Sequence, residues 1–187
     1  YDLQGDYLMP GFVELHTDNL EKHMSPRPET DWPPTAAVIA HDSQIAGAGI
    51  TTVLDALALG DVRQSSERIA KFGDMIDGIF HAAKENLLRA EHFIHLRCEI
   101  SYPDLPEALE RSVGNALLRM MSVMDHTPGQ RQFTKLQAYH TYYKGKYGFS
   151  DIEMKAFIRD RKRDRKLYGD AHRRIVVGLA RDRNIAL

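Results

Sequence analysis

The chain has 187 residues, of which 43% are hydrophobic and 27% charged, and its formal net charge is -1. This composition is typical of a globular domain and excludes a disordered, collagen-like or coiled-coil chain. No apolar run approaches the roughly 20 residues that a membrane span needs. The near-neutral charge argues against binding to nucleic acid. We therefore expect a globular protein with neither membrane nor nucleic-acid partners.

The beginning of the chain, YDLQGDYLMPG, lacks an initiator Met and has no basic segment leading into an apolar one. This pattern does not predict a secretory signal, and we expect the chain to begin inside a longer polypeptide. The single cysteine, Cys98, cannot form an internal disulfide, which favours a cytoplasmic location.

Short strand-like runs alternate with longer helix-like runs along the chain. The apolar pattern predicts strands at residues 8–15, 50–54, 92–100 and 118–124. It predicts helices at residues 35–48, 65–88, 107–113 and 171–183. Ser150 and Glu153 form a capping box that predicts a further, charged helix to about Leu167.

Strands separated by helices indicate an α/β fold with a parallel sheet and right-handed crossovers. Four such units, with a fifth strand just starting at residues 185–187, predict half of a (β/α)8 TIM-like barrel, whose usual size is about 250 residues. A doubly wound sheet is less favoured, because no glycine-rich phosphate turn follows the first strand. Residues 8–129 would supply strands one to four, 130–170 a Tyr-rich and charged helical insertion, and 171–187 a helix leading to strand five.

Polar residues follow the predicted strands at their C-terminal ends, where barrel enzymes place catalytic groups. His16 and Asp18 are two residues apart and can share one face of a strand, where imidazole and carboxylate groups suit a divalent transition metal. His95, Arg97 and Glu99 share the same parity on the third strand. A structural role, such as an Arg97–Glu99 ion pair, stays open.

Further candidates follow the first and fourth strands. Asp125 and His126 are adjacent, so one of them can face the pocket, and Arg131 in the next loop can bind phosphate. A solvated turn is an equally good interpretation of this loop. The segment after the first strand adds three potentially cationic groups, which indicate an anionic substrate: Lys22, His23 and Arg27.

Other residues are predicted to serve the fold. The charged run at residues 159–166 is expected to be a solvated helix face. Cys98 is expected to be buried and inert. Asp55, at the end of the second strand, either orients ligands or caps a loop. The tyrosines of the insertion are expected to pack under their own loop rather than to stack on a base or ribose: Tyr139, Tyr142, Tyr143 and Tyr147.

Several segments together resemble a known family: MPGFVELHTDN, GITTVLDAL, AEHFIHLRCEIS and MDHTPGQRQF. MPGFVELH is similar to the first-strand signature of the amidohydrolase superfamily, whose members are metal-dependent hydrolases on (β/α)8 barrels. More specifically, the chain resembles the diphosphatases of the carbon–phosphorus lyase pathway of bacterial phosphonate use. The segments that show this resemblance are HTDNLEKH, RPETDWP, LRAEH, DHTPGQRQF and TYYKGKYG. The resemblance extends from Leu8 to Leu187.

This resemblance implies a hydrolase that converts a triphosphorylated ribose to its 5-phosphate and diphosphate. One or two divalent ions, zinc, manganese or similar, would be held by His16, Asp18 and Glu99. Asp18 stands where the superfamily usually has a second histidine. The fourth strand, LRMMSVMDH, lacks the lysine that many members carry there, so Glu99 becomes the bridging candidate.

On this hypothesis the metal lowers the pKa of a water and supplies the nucleophile near pH 7. Four cations would bind the triphosphate and offset charge on the leaving diphosphate: Lys22, Arg27, Arg97 and Arg131. His126, His23 and Asp125 are the catalytic candidates, with either histidine able to protonate the leaving group.

Two alternatives remain open from the sequence. One is a C–N hydrolase or deaminase of the same superfamily with a neutral substrate, and the other is a non-catalytic, barrel-derived binding module. The remaining metal ligands would lie beyond Leu187, so we expect this chain alone to be an inactive fragment. Its exposed strand edges predict aggregation or a homo-oligomer.

Overall fold

The computed structural model describes residues 2–27, 29–63, 67–130 and 133–187, without the side chains of residues 67 and 68. The chain divides into two compact units. Unit 1 comprises Tyr1–Ala56 and Gly73–His95, and unit 2 comprises Leu57–Phe72 and Leu96–Leu187. No helix within the described ranges has both the length and the apolar character needed to cross a membrane.

Four strands form one sheet in the order β1-β2-β3-β4: β1 (Phe12–Thr17), β2 (Ile50–Leu59), β3 (Glu91–Glu99) and β4 (Leu118–Met124). The helices are α1 (Leu20–Met24), α2 (Pro34–Gly47), α3 (Glu67–Lys84), α4 (Leu105–Ser112), α5 (Leu136–Tyr147) and α6 (Asp151–Asp182). β1 and β2 pair in parallel, with Thr17 opposite Asp55. Strands in chain order with helical connections fit a partial TIM-like barrel, as predicted.

The first strand lies later in the chain than predicted. β1 begins at Phe12 rather than near Leu8, because Pro10 has no N–H to donate to a neighbouring strand. A Cβ at Gly11 would clash with the Thr51 side chain, which favours glycine at the entry to β1. The polar segment after β1 contains the short helix α1, which packs against α2.

The second strand is longer than predicted. β2 continues to Leu59, five residues beyond the predicted end, and its residues from Val53 onward are buried. Asp55 therefore lies inside a strand with both faces covered, and the prediction that it caps a loop is wrong. The charge of Asp55 predicts the end of a strand, although apolar residues resume immediately after it.

The two predicted C-terminal helices are one continuous helix, α6, of 32 residues. Its predicted capping box is confirmed: the Ser150 side chain accepts from the Glu153 N–H, and the Ser150 N–H donates to the Glu153 carboxylate at 2.8 Å. Gly169 lies inside α6 without ending it, since one glycine costs a helix only about 1 kcal/mol.

The last residues of the chain, where the sequence predicts the start of a fifth strand, lie beside β4. The Met121 N–H donates to the Ala186 carbonyl at 2.8 Å, and the Ala186 N–H donates to the Arg119 carbonyl at 3.2 Å. Met120 and Ala186 form a parallel bridge. The chain after α6 thus lies along β4, in the direction that the next barrel strand would take.

The segment of unit 2 that the sequence predicts as an insertion contains a cluster of packed aromatic side chains. Tyr139 and Tyr143 are buried within this segment, as predicted, whereas Tyr142 is about half exposed. The aromatic cluster comprises Phe133, Tyr139, Tyr143, Tyr147, Phe149 and Phe157. The charged run is only partly solvated, because Arg161 and Asp164 are buried. That prediction is wrong for these two residues.

Candidate functional site

Two of the predicted metal ligands lie at the end of β1. His16 is in β1 and Asp18 follows the strand, and both are exposed. The His16 ring meets the His95 ring edge to face, with 5.1 Å between ring centres. His95 Nδ1 lies 3.1 Å from the Leu15 carbonyl oxygen, so that nitrogen carries the ring proton. The structure therefore adds a second imidazole beside the predicted pair.

Three predicted cationic groups lie on α1 or just after it. The Lys22 ammonium donates to the Asn19 side chain at 3.0 Å. His23 Nε2 lies 3.2 Å from the Gln44 side-chain oxygen. Lys22 and Arg27 are exposed, whereas His23 is half-buried. Lys22 and Arg27 are therefore accessible to an anion from solvent.

Unit 1 also contains four buried polar side chains that the sequence did not group, here called the sealed cluster: His41, Asp42, Asp55 and His92. His41 Nε2 lies 2.8 Å from Asp55 Oδ1, and His92 Nδ1 lies 2.8 Å from Asp55 Oδ2. His92 Nε2 lies 3.3 Å from Asp42 Oδ1. The four residues are at most 4% exposed. Helix α2 and strands β2 and β3 thus hold a connected network out of reach of solvent.

Charge in the sealed cluster is balanced by hydrogen bonds. Asp42 also accepts from the Arg89 N–H at 3.0 Å and the Ala90 N–H at 2.9 Å. Burial alone would raise the pKa of Asp55, but hydrogen bonds from two histidines outweigh it and lower the pKa. Burial would lower the pKa of His92, but its contacts with Asp55 and Asp42 raise it. The geometry is that of an imidazolium between two carboxylates.

Three members of the sealed cluster could also hold a metal ion. His41, Asp55 and His92 each offer one ligand atom, and these atoms all lie within 4.8 Å of one another. Imidazole and carboxylate groups suit zinc or manganese. A catalytic metal, however, keeps a coordination position open for water or substrate, whereas a structural metal is enclosed. The sealed cluster matches an enclosed site and not an open one.

Unit 2 contains a second histidine–carboxylate contact, between Glu99 at the end of β3 and His126 after β4. His126 Nδ1 lies 2.6 Å from Glu99 Oε2, and the Ser101 hydroxyl donates to Glu99 Oε1 at 2.6 Å. The Glu99 side chain is 1% exposed, whereas that of His126 is 24% exposed. A carboxylate that holds Nδ1–H leaves Nε2 as the atom that can exchange a proton. The structure thus pairs two residues that were predicted for separate roles.

Asp125, the residue before His126, has different partners. Its carboxylate accepts from Arg165 Nε at 2.7 Å and from the Thr127 N–H at 3.1 Å. Arg165 also donates to Asp170 at 3.1 Å. Asp125 therefore connects the end of β4 to helix α6.

Of the other two predicted phosphate-binding residues, the structure describes Arg97. Arg97 lies in β3, two residues before Glu99, and is half-buried. Arg131 lies outside the described residues. Arg97 therefore shares the strand of the carboxylate that contacts His126.

Comparison with known proteins gives one similarity along the entire chain. The chain is 41% identical over 186 residues, all of its length, to the curated alpha-D-ribose 1-methylphosphonate 5-triphosphate diphosphatase of Escherichia coli (strain K12). The predicted resemblance is confirmed. The match covers 49% of that protein, so the chain spans about half the length of the curated relative that it matches. No family model and no solved structure matches the chain.

Proposed function

We propose that this chain is part of a metal-dependent diphosphatase that hydrolyses alpha-D-ribose 1-methylphosphonate 5-triphosphate to the 5-phosphate and diphosphate. The observation that supports this proposal is the 41% identity over 186 residues to the curated enzyme of that name. The reaction belongs to phosphonate catabolism, and the complete barrel would be of the amidohydrolase type.

The proposed ligands of the catalytic ion in unit 1 are His16 and Asp18. Their exposure leaves room for water and substrate, and their donor atoms suit zinc or manganese. A bound divalent ion would polarise a phosphoryl oxygen and lower the pKa of a water. Glu99 stays a predicted ligand, and its carboxylate retains lone pairs beyond the bonds from Ser101 and His126.

His126 is the proposed proton-transfer group. With Nδ1–H donated to Glu99, Nε2 would give a proton to the leaving diphosphate or hydrogen-bond to it. A buried carboxylate behind the imidazole fixes the orientation of the ring. His23 and Asp125 stay predicted catalytic residues, although Gln44 and Arg165 already contact them.

Binding of the triphosphate is assigned to the predicted cations: Lys22, Arg27, Arg97 and Arg131. Guanidinium groups bind phosphoryl oxygens in pairs, and an ammonium group adds a point charge. Each interaction would offset the charge that develops on the leaving diphosphate. A cytoplasmic location and a homo-oligomeric assembly stay predictions.

The direct test is phosphorus NMR of the triphosphate substrate with the protein at its natural length and added manganese or zinc. We expect diphosphate and the 5-phosphate in equal amounts. Orthophosphate would move the attack to the terminal phosphoryl group and contradict a diphosphatase. No turnover by a metal-loaded protein would favour the C–N hydrolase, and a protein that binds no metal would favour the binding module.

Two carboxylate variants sharpen this test. Asp18→Asn should abolish most turnover, because the amide is a poorer metal ligand than the carboxylate. Asp182→Asn, at the exposed end of α6, is the matched control and should leave turnover unchanged. Equal activity of the two variants would remove Asp18 from the proposed site.

A further inference from the structure

The insertion contains a buried cation whose hydrogen-bonding capacity is only partly used. Arg161 on α6 is 7% exposed, and its Nη2 donates to Asp164 Oδ2 at 2.5 Å. Its Nε and Nη1 are buried and have no hydrogen-bond partner among the described residues. Buried donors without an acceptor are costly, and in folded proteins they are usually satisfied by water or an ion.

A second unsatisfied donor lies nearby, in the aromatic cluster. Tyr139 on α5 is fully buried, and within the described ranges its hydroxyl has no partner. The Tyr139 ring stacks on Phe157 at 6.2 Å, and the Arg161 guanidinium carbon lies 5.9 Å from the centre of the same Phe157 ring. The hydroxyl and the guanidinium thus belong to one buried neighbourhood between α5 and α6.

This neighbourhood is electrostatically linked to Glu99. Burial raises the pKa of Tyr139, the Arg161 charge opposes that rise, and the Glu99 charge adds to it. Glu99 is also the carboxylate that contacts His126 at 2.6 Å. Arg161 and Glu99 therefore both lie within electrostatic range of the Tyr139 hydroxyl.

The unsatisfied groups favour an anion as their partner. Arg161 Nε and Nη1 and the Tyr139 hydroxyl can all donate hydrogen bonds. The Asp164 carboxylate is shared between two arginines, because it also accepts a hydrogen bond from Arg163 at 3.0 Å. Its negative charge therefore does not fully neutralise Arg161. A phosphoryl group offers several acceptor oxygens and negative charge, and a guanidinium can bind two of its oxygens at once.

We propose that the Arg161 guanidinium and the Tyr139 hydroxyl form an anion-binding subsite for a phosphoryl group. The anion site itself is inferred from two observations: the contacts between these residues, and their hydrogen-bond donors that lack an acceptor among the described residues. Its assignment to a phosphoryl group of the triphosphate substrate rests on the proposed function.

The test is calorimetric binding of inorganic diphosphate to the protein at its natural length. Arg161→Gln should weaken binding roughly tenfold or more, because a charge-assisted hydrogen bond is lost. Tyr139→Phe should weaken it about threefold or more and should fold normally, since the lost hydroxyl has no partner among the described residues. Arg163→Gln is the matched control, because Arg163 binds the same Asp164 from an exposed position.

Unchanged affinity in both Arg161→Gln and Tyr139→Phe would overturn the subsite and leave water as the partner of the donors. Weaker binding in both, with normal binding in Arg163→Gln, would support it. A parallel titration with inorganic phosphate distinguishes a substrate subsite from a general anion site. If the two variants lose affinity for diphosphate alone, the substrate assignment is supported. If they lose affinity for diphosphate and phosphate equally, a general anion site is supported. Weaker diphosphate binding without hydrolysis of the triphosphate would refute the proposed function and retain the subsite.

Discussion

Each unit of the chain contains a contact between a buried carboxylate and a histidine. In unit 1, Asp55 contacts His41 and His92, and the whole sealed cluster is at most 4% exposed. In unit 2, Glu99 is equally buried, but 24% of the His126 side chain is exposed. The same two chemical groups therefore occupy a closed environment in one unit and an accessible one in the other.

The difference in exposure indicates that the sealed cluster stabilises the fold, whereas the Glu99–His126 contact can take part in catalysis. A buried network whose carboxylate oxygens are all hydrogen-bonded strengthens and rigidifies the fold. A histidine that is held by a buried carboxylate but keeps an accessible edge can exchange protons with a substrate. Donor chemistry alone does not distinguish the two environments, whereas exposure does.

The largest expected effect comes from the accessible contact. His126→Gln should lower kcat by about 10²- to 10⁴-fold, the range for loss of a proton-transfer group, with little change in Tm. Steady-state kinetics of the protein at its natural length measures this effect. His140→Gln, which replaces a partly exposed histidine of α5 near Asp151, is the control. Parent-like kcat in His126→Gln would exclude the proposed role.

A substitution in the sealed cluster should lower the stability of the fold rather than kcat. Asp55→Asn should lower the free energy of unfolding by about 3–5 kcal/mol, because it leaves a buried imidazolium with one charged partner fewer. Urea denaturation measures this loss. Asp151→Asn, which removes a carboxylate 71% exposed beside Lys144, should change little. Similar effects in the two variants would show that the sealed cluster contributes no special stability.

The pH dependence of stability sharpens the same comparison. Because the folded pKa of His92 is raised above 6.5, its contribution to stability is complete below pH 6.5 and is lost as the pH rises through the folded value. The folded pKa of Asp55 is lowered, so its contribution to stability is complete above pH 3.8 and is lost only as the pH falls below that value. Denaturation between pH 6 and pH 9 should therefore show a steeper loss of stability in the parent than in His92→Gln. Parallel curves would contradict a charged His92.

The smallest effect concerns Cys98, the neighbour of Glu99. Burial raises the pKa of its thiol to about 12, so almost no thiolate forms near neutral pH. A thiol reagent at pH 8 should leave the folded protein unmodified and react once urea unfolds it. Rapid reaction of the folded protein would show that the surroundings of Glu99 are open to solvent.

Local signals account for the elements that the sequence predicts well. β4 has the predicted bounds, α2 is displaced by one residue, and the Ser150–Glu153 capping box starts α6. Each of these depends on residues close together in the chain. β2 was predicted too short because the charge of Asp55 is compensated by His41, fourteen residues earlier on α2. That compensation depends on helix–sheet packing and leaves no local pattern.

The candidate site shows the same limit. Glu99 and His126 are both predicted as functional residues because each lies at or just after the end of a strand, but their contact depends on the adjacency of β3 and β4. The sequence does not predict the sealed cluster, because His41 and Asp42 lie in helix α2 and not at the end of a strand. The signal that could have identified them is this unusual pair of polar residues on a buried helix face.

The most direct test of the central claim is the amount of manganese or zinc bound by two matched histidine variants. His16→Gln removes an imidazole from the accessible end of β1, and His41→Gln removes one from the sealed cluster while keeping a donor for Asp55. Equilibrium dialysis of the protein at its natural length should show loss of metal from His16→Gln and parent-like metal in His41→Gln. Loss of metal from His41→Gln alone would contradict the account and place the ion in the sealed cluster.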